Sequence, residues 1–114
     1  MSFLHEPLFE PVARNLRFQK GIKEISRKKP IIMVDLGCGP KIRFYHFAKI
    51  HGIQFKKYIG IDPLLDFNLL QQYKKDKIVQ LKKNQLNKKI SLPSASVDYI
   101  VAFASIEHFN SPIQ

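Results

Sequence analysis

Apolar residues between Leu8 and Ile25 fall at Leu8, Phe9, Val12, Leu16, Ile22 and Ile25, close to helical spacing, with Arg14, Arg17, Lys20 and Lys23 among the polar positions. That spacing predicts an amphipathic opening helix, taken to run over 8–27. The cluster Arg27-Lys28-Lys29-Pro30 breaks it, because proline disfavours a helical residue before it. Ile31-Ile32-Met33-Val34 follows as a continuous apolar run, the pattern of a strand buried on both faces. After Gly37-Cys38-Gly39-Pro40, the stretch Ile42 to Ile50 returns to helical spacing through Phe44, Phe47 and Ala48, and Gly52 is its natural stop. Tyr58 to Ile61 reads as a second strand, and Leu64 to Tyr73 as a second helix in this alternation with Leu65, Leu69 and Leu70 inward. Ile78 to Leu81 is a weaker third strand, and Val97 to Ala104 is the most strand-like segment of the chain. Strands alternating with helices imply βαβ units, hence a doubly wound α/β fold around a mainly parallel sheet.

At 114 residues the chain is long enough for one domain, and a hydrophobic fraction of 45% suits a packed core. No apolar stretch approaches the roughly 18–20 residues needed to cross a bilayer, so no membrane partner is expected. The opening residues carry Glu6 and Glu10 and lack the basic and apolar regions of a secretory signal. A single cysteine, Cys38, leaves no intramolecular disulfide, and a cytoplasmic location is expected. The formal net charge of +10 suggests a polyanion as partner, but only four of the basic residues are Arg, and paired lysines also suit solvated faces. His5, His46 and His51 have no partner at metal-ligand spacing, so no metal is expected.

The richest chemistry lies in Val34-Asp35-Leu36-Gly37-Cys38-Gly39-Pro40, where two glycines stand between a buried strand and a helix, the place at which backbone comes close to a ligand. Asp62 ends the next strand, 23 residues beyond Gly39, where a carboxylate can accept hydrogen bonds from ribose hydroxyls. Asp62-Pro63 is also a sufficient helix start on its own. A dinucleotide fingerprint would need glycine at position 42, which is Ile42, and no P-loop lysine follows the turn. Asp35, expected at the rim of the turn, repels phosphate and favours a cation. S-adenosylmethionine is a nucleoside cofactor with a sulfonium and an ammonium and no phosphate. Cys38 is expected as a small turn residue and not as a nucleophile.

These blocks, together with Tyr58-Ile59-Gly60-Ile61-Asp62, Leu92-Pro93 leading to Val97-Asp98-Tyr99-Ile100-Val101, and Ile106-Glu107-His108-Phe109, resemble the class I Rossmann-fold S-adenosylmethionine-dependent methyltransferases in order and spacing. The resemblance implies S-adenosyl-L-methionine as cofactor, with Asp35, Gly37, Cys38 and Gly39 around its methionine end and Asp62 on the ribose. It also implies a seven-stranded sheet of order 3-2-1-4-5-7-6, of which this chain has room for strands one to four. Lys41 stands where many members have a third glycine. Where many have an acidic residue near adenine, this chain offers amides, of which Asn87 is the preferred candidate. Glu107 and His108 fall where the family's fourth strand ends over the reacting methyl, and His108 has the pKa range of a general base.

The chain is therefore expected to be a single partial domain over 1–114, with its cofactor-binding core at 31–109. Its reaction would be in-line methyl transfer to an unidentified acceptor: a small molecule, RNA or protein. A strand as apolar as Val97 to Ala104 belongs inside a sheet, so completion by a partner chain or by a homodimer is also expected. Two alternatives stay open: a non-catalytic remnant or partner subunit of the same fold, and a basic nucleic-acid-binding module. Turnover by this chain alone is left open with them.

Overall fold

The computed structural model describes residues 10–84 and 97–103. Within them the chain runs α1 (Glu10–Lys23), β1 (Ile31–Leu36), α2 (Arg43–Ile50), β2 (Phe55–Ile61), α3 (Phe67–Gln72), β3 (Val79–Lys82) and β4 (Tyr99–Val101). The strands form one sheet in the order β3-β2-β1-β4, and every pairing is parallel. The expected α/β architecture and the 3-2-1-4 order of its first four strands are both present.

Side chains alternate across β1, so Ile31 and Met33 face the helices while Val34 faces the other way. All three helices feed the first cluster. Phe18 and Ile22 come from α1, Phe44, Tyr45 and Ala48 from α2, and the half-buried Leu69 and Leu70 from α3, packed over Met33, Tyr58 and Val79. Phe18 meets Phe44 edge-on at 5.1 Å, and Phe103 at the same distance, so aromatic rings join α1 to the chain just beyond β4. Gly21 makes that approach close: a Cβ there would lie 2.6 Å from the Phe103 ring. On the opposite face Val34, Ile59 and Ile61 are also fully buried, as the apolar character of β1 and β2 requires.

Several boundaries differ from the sequence expectation, each for a local reason. The buried stripe of α1 is Phe18 and Ile22, continued by Ile25 beyond the helix, whereas Val12 and Leu16 point outward. Phe18 takes the place that spacing had assigned to those two. Helix α3 begins at Phe67, not at Leu64, because Asp66 is its N-cap and accepts from the Leu69 N–H at 3.2 Å. Asp62 is thus not the cap of a helix. Asp76 receives the N–H groups of Ile78 and Val79 at 2.7 and 2.8 Å, which sets the turn into β3 and holds its own carboxyl below the usual range. Strand β4 is shorter than Val97 to Ala104. The Ile32 N–H donates to Asp98 Oδ2 at 2.7 Å while the Asp98 N–H donates to the Ile32 carbonyl at 2.8 Å, so a carboxylate replaces the ladder at that end. Among the described residues β4 is an edge strand with Ile100 exposed, its outer side without the neighbour that its apolar composition calls for.

Candidate functional site

Strand β1 ends at Leu36, and the chain reverses through Gly37 at φ +74° and Gly39 at φ +83°, both in the left-handed region where a Cβ is strained. The turn is fastened to the end of β2, since the N–H groups of Gly37 and Cys38 donate to the Ile61 carbonyl at 2.8 and 3.3 Å. A Cβ at Gly39 would meet nothing within 4 Å. Its glycine is required by backbone angle and not by crowding, and the space beside it is open to a ligand.

Ile42 continues the turn at φ +44°, an unusual conformation for a β-branched residue, and is fully buried. It occupies the position where the dinucleotide fingerprint has its third glycine, and packing holds it there. This strain has no sequence signal, because an isoleucine in an apolar helix start reads as core.

Asp62 joins the two blocks that sequence spacing separated by 23 residues. Its Oδ2 accepts from the Gly39 N–H at 2.9 Å and its Oδ1 from the Leu64 N–H at 2.7 Å. Its own N–H donates to the Lys82 carbonyl at 3.1 Å, tying it to the end of β3. With 2% of its surface exposed, the carboxylate spends one lone pair of each oxygen on backbone, which leaves each oxygen with further acceptor capacity. Asp66 adds a second tie, its N–H donating to the Pro40 carbonyl at 3.1 Å.

Asp35 is not at the rim of the turn. It shares the helix-facing side of β1 with Ile31 and Met33, and at 1% exposure it lies beneath the turn. The Tyr58 hydroxyl donates to its Oδ2 at 2.5 Å, and its Oδ1 has no hydrogen-bond partner. Burial pushes its pKa up to about 7; the Tyr58 bond opposes the rise and the Asp62 charge adds to it. Burial, with Asp35 nearby, likewise pushes the Tyr58 hydroxyl far above its usual range. An orphaned, buried carboxylate oxygen is costly unless a donor or cation reaches it.

Cys38 is buried, and that burial together with the Asp35 and Asp62 charges raises its thiol far above the range in which a thiolate forms at neutral pH. Its Sγ fills the hollow left by Gly60, where a Cβ would sit 3.0 Å from that sulfur, 3.0 Å from the Tyr58 ring and 3.1 Å from Leu81. Gly60 and Tyr58 are site residues that sequence reasoning passed over as strand. The available signal was register: Gly60 pairs with Asp35, and Tyr58 precedes it by two on the same face.

The structure thus brings together Asp35, Gly37, Cys38, Gly39 and Asp62, with Tyr58 and Gly60 beneath them. Asn87, Glu107 and His108 lie outside the described residues. Among the described residues no group of three or more His, Cys, Asp or Glu side chains forms a metal-binding cluster, and no helix is long and apolar enough to cross a membrane. A family model described as a methyltransferase domain matches residues 7–114. Neither a curated protein nor a solved structure matches the chain.

Proposed function

Since the chain belongs to this methyltransferase domain family, we propose that the Gly37 to Gly39 turn is its S-adenosylmethionine site and that the chain carries the cofactor-binding half of the reaction. The observation that carries this reading is the pair of carboxylates, Asp35 and Asp62, held around a left-handed glycine turn with open space beside Gly39. The residues fit that group. The unpartnered Oδ1 of Asp35 suits a ligand of positive charge, and both carboxylates disfavour a pyrophosphate. The free lone pairs of Asp62 suit ribose hydroxyls.

S-adenosylmethionine supplies, when bound, an electrophilic sulfonium methyl for in-line displacement by an acceptor O, N, S or C atom. The chain's own part is positioning. Gly39 lets backbone approach the ligand, Asp62 fixes the turn against β2 and orients a ribose, and Asp35 holds negative charge beneath a cationic group. Within the same proposal Asn87 is the amide toward adenine, and Glu107 with His108 stands on the acceptor side. A cytoplasmic setting and an acceptor drawn from small molecules, RNA or protein belong to this reading as well.

Titration calorimetry of the chain with S-adenosylhomocysteine, beside Asp62→Ala, tests it. Saturable binding that the substitution abolishes is the expected result. No heat from a chain that unfolds cooperatively on heating would overturn the cofactor assignment.

A further inference from the structure

A second cavity, of about 470 Å³, opens on the helix layer between α1 and the first turns of α2. Its floor is apolar, made by Phe18, Phe47 and Leu69, and its walls carry Arg14, Lys41 and Arg43. The cleft is shallow and open to solvent, an apolar base with polar groups around it. The charge is one-sided. Among the described residues neither Arg14 nor Arg43 is paired with an acid, and Lys41 meets Asp66 at 3.9 Å in an exposed pair of little strength. Three cations, one from α1, one from the turn before α2 and one from the first position of α2, converge on one mouth, although their mutual repulsion disfavours it. Packing does not require this, because Lys41 and Arg43 are exposed while the core residue between them, Ile42, points inward.

We propose that this cleft binds the phosphate of a nucleotide, free or within a single strand, with Arg14, Lys41 and Arg43 on the phosphate and the half-buried Phe47 and Leu69 in apolar contact with the nucleoside. Guanidinium groups suit phosphate because their planar fork makes paired hydrogen bonds. The apolar floor favours a ligand with an apolar portion beside its phosphate over inorganic phosphate alone. The cleft adjoins the glycine turn through Lys41, but it rests on Arg14, Arg43 and its apolar floor as well and does not depend on the cofactor reading.

Binding of uridine 5′-monophosphate, uridine and a uridine hexanucleotide to the full chain, without cofactor, tests it by calorimetry. The monophosphate is expected to bind and uridine to bind at least about tenfold more weakly, as the loss of the charged contacts implies. Arg14→Glu with Arg43→Glu is expected to abolish binding. Lys28→Glu with Lys29→Glu, the same change in net charge at exposed positions between α1 and β1, is expected to leave it unchanged. Binding of the monophosphate at least as tight as the hexamer assigns a free nucleotide; clearly tighter hexamer binding that the arginine variant removes assigns a strand. Absence of binding by both, equal binding of uridine, or equal loss in the two double variants would overturn the proposal. Circular dichroism reports whether the arginine variant folds, and Arg43→Gln, weaker by several-fold, gives the same answer with less perturbation. S-adenosylhomocysteine titrated into the arginine double variant reads the glycine turn by itself, so failure at one site is distinguishable from failure at the other.

Discussion

Replacing Asp62 by Asn changes almost no volume and still removes what holds the glycine turn. The carboxylate accepts two backbone N–H groups, from Gly39 at 2.9 Å and from Leu64 at 2.7 Å. An amide has one oxygen and one NH₂ group, so either orientation sets a donor against one of the two N–H groups. At 2% exposure no water replaces the lost acceptor. The orphaned N–H costs about 1–3 kcal/mol, and the surviving bond, no longer charge-assisted, weakens by roughly 0.5–1 kcal/mol. Relief of Asp35, whose ionisation the Asp62 charge opposes as a minor cause, offsets a small part of this. The expected loss is about 1–4 kcal/mol, a large share of a small domain's total stability of roughly 5–15 kcal/mol. Urea unfolding should show a midpoint lower by about 0.5–2 M for a slope of about 2 kcal/mol per M. Hydrogen exchange should show protection falling at Gly39 or Leu64 while Gly37 and Cys38, bonded to the Ile61 carbonyl, keep theirs. An unchanged midpoint with both amides still protected would refute the assigned role of Asp62.

Gly60→Ala places a methyl against Cys38, Tyr58 and Leu81 at 3.0–3.1 Å, and should cost about 1–3 kcal/mol by overpacking; adding Cys38→Ala should recover part of it, and thermal melts with no recovery would argue against this contact. Ile42→Gly relieves about 1–2 kcal/mol of left-handed strain but removes a fully buried side chain worth about 2–5 kcal/mol. A net loss near 1–3 kcal/mol should follow in urea unfolding, and a more stable variant would show that strain outweighs burial. Asp35, with its folded pKa raised from 3.8 to about 7, binds its proton more readily in the folded chain, so its ionisation subtracts stability as pH rises from about 4 to about 7. Asp35→Asn stays neutral throughout. Its stability relative to the parent should therefore grow by an order of a few kcal/mol across that window, and parallel stability curves would contradict the burial-raised pKa.

The parallel α/β plan was legible because β1 and β2 are short apolar runs separated by a helical pattern, and such runs are stable only between covered faces. The glycine turn and Asp62 were legible for a related reason: left-handed backbone needs glycine, and its place after a strand can be read directly. What escaped depends on three-dimensional neighbours. Asp35 was placed at a rim by counting along the chain, while strand alternation turns it under the turn toward Tyr58. Leu16 and Phe18 are both apolar, and only the rings of Phe44 and Phe103 decide which of them is buried. The extent of β4 escaped too: the apolar run from Val97 is longer than the strand, and composition alone does not reveal that Asp98 ends its ladder with β1.

Cys38 gives the glycine turn a built-in clock. It is the sole cysteine of the chain and sits inside the turn, wedged into the hollow of Gly60 with its thiol held protonated. A thiol reagent in solution reacts with thiolate, so the folded turn is almost inert to it. Modification therefore proceeds through the fraction of molecules in which the turn has opened, and its rate counts those openings. A ligand that settles on the turn slows the count, and one that binds elsewhere leaves it running at the same pace.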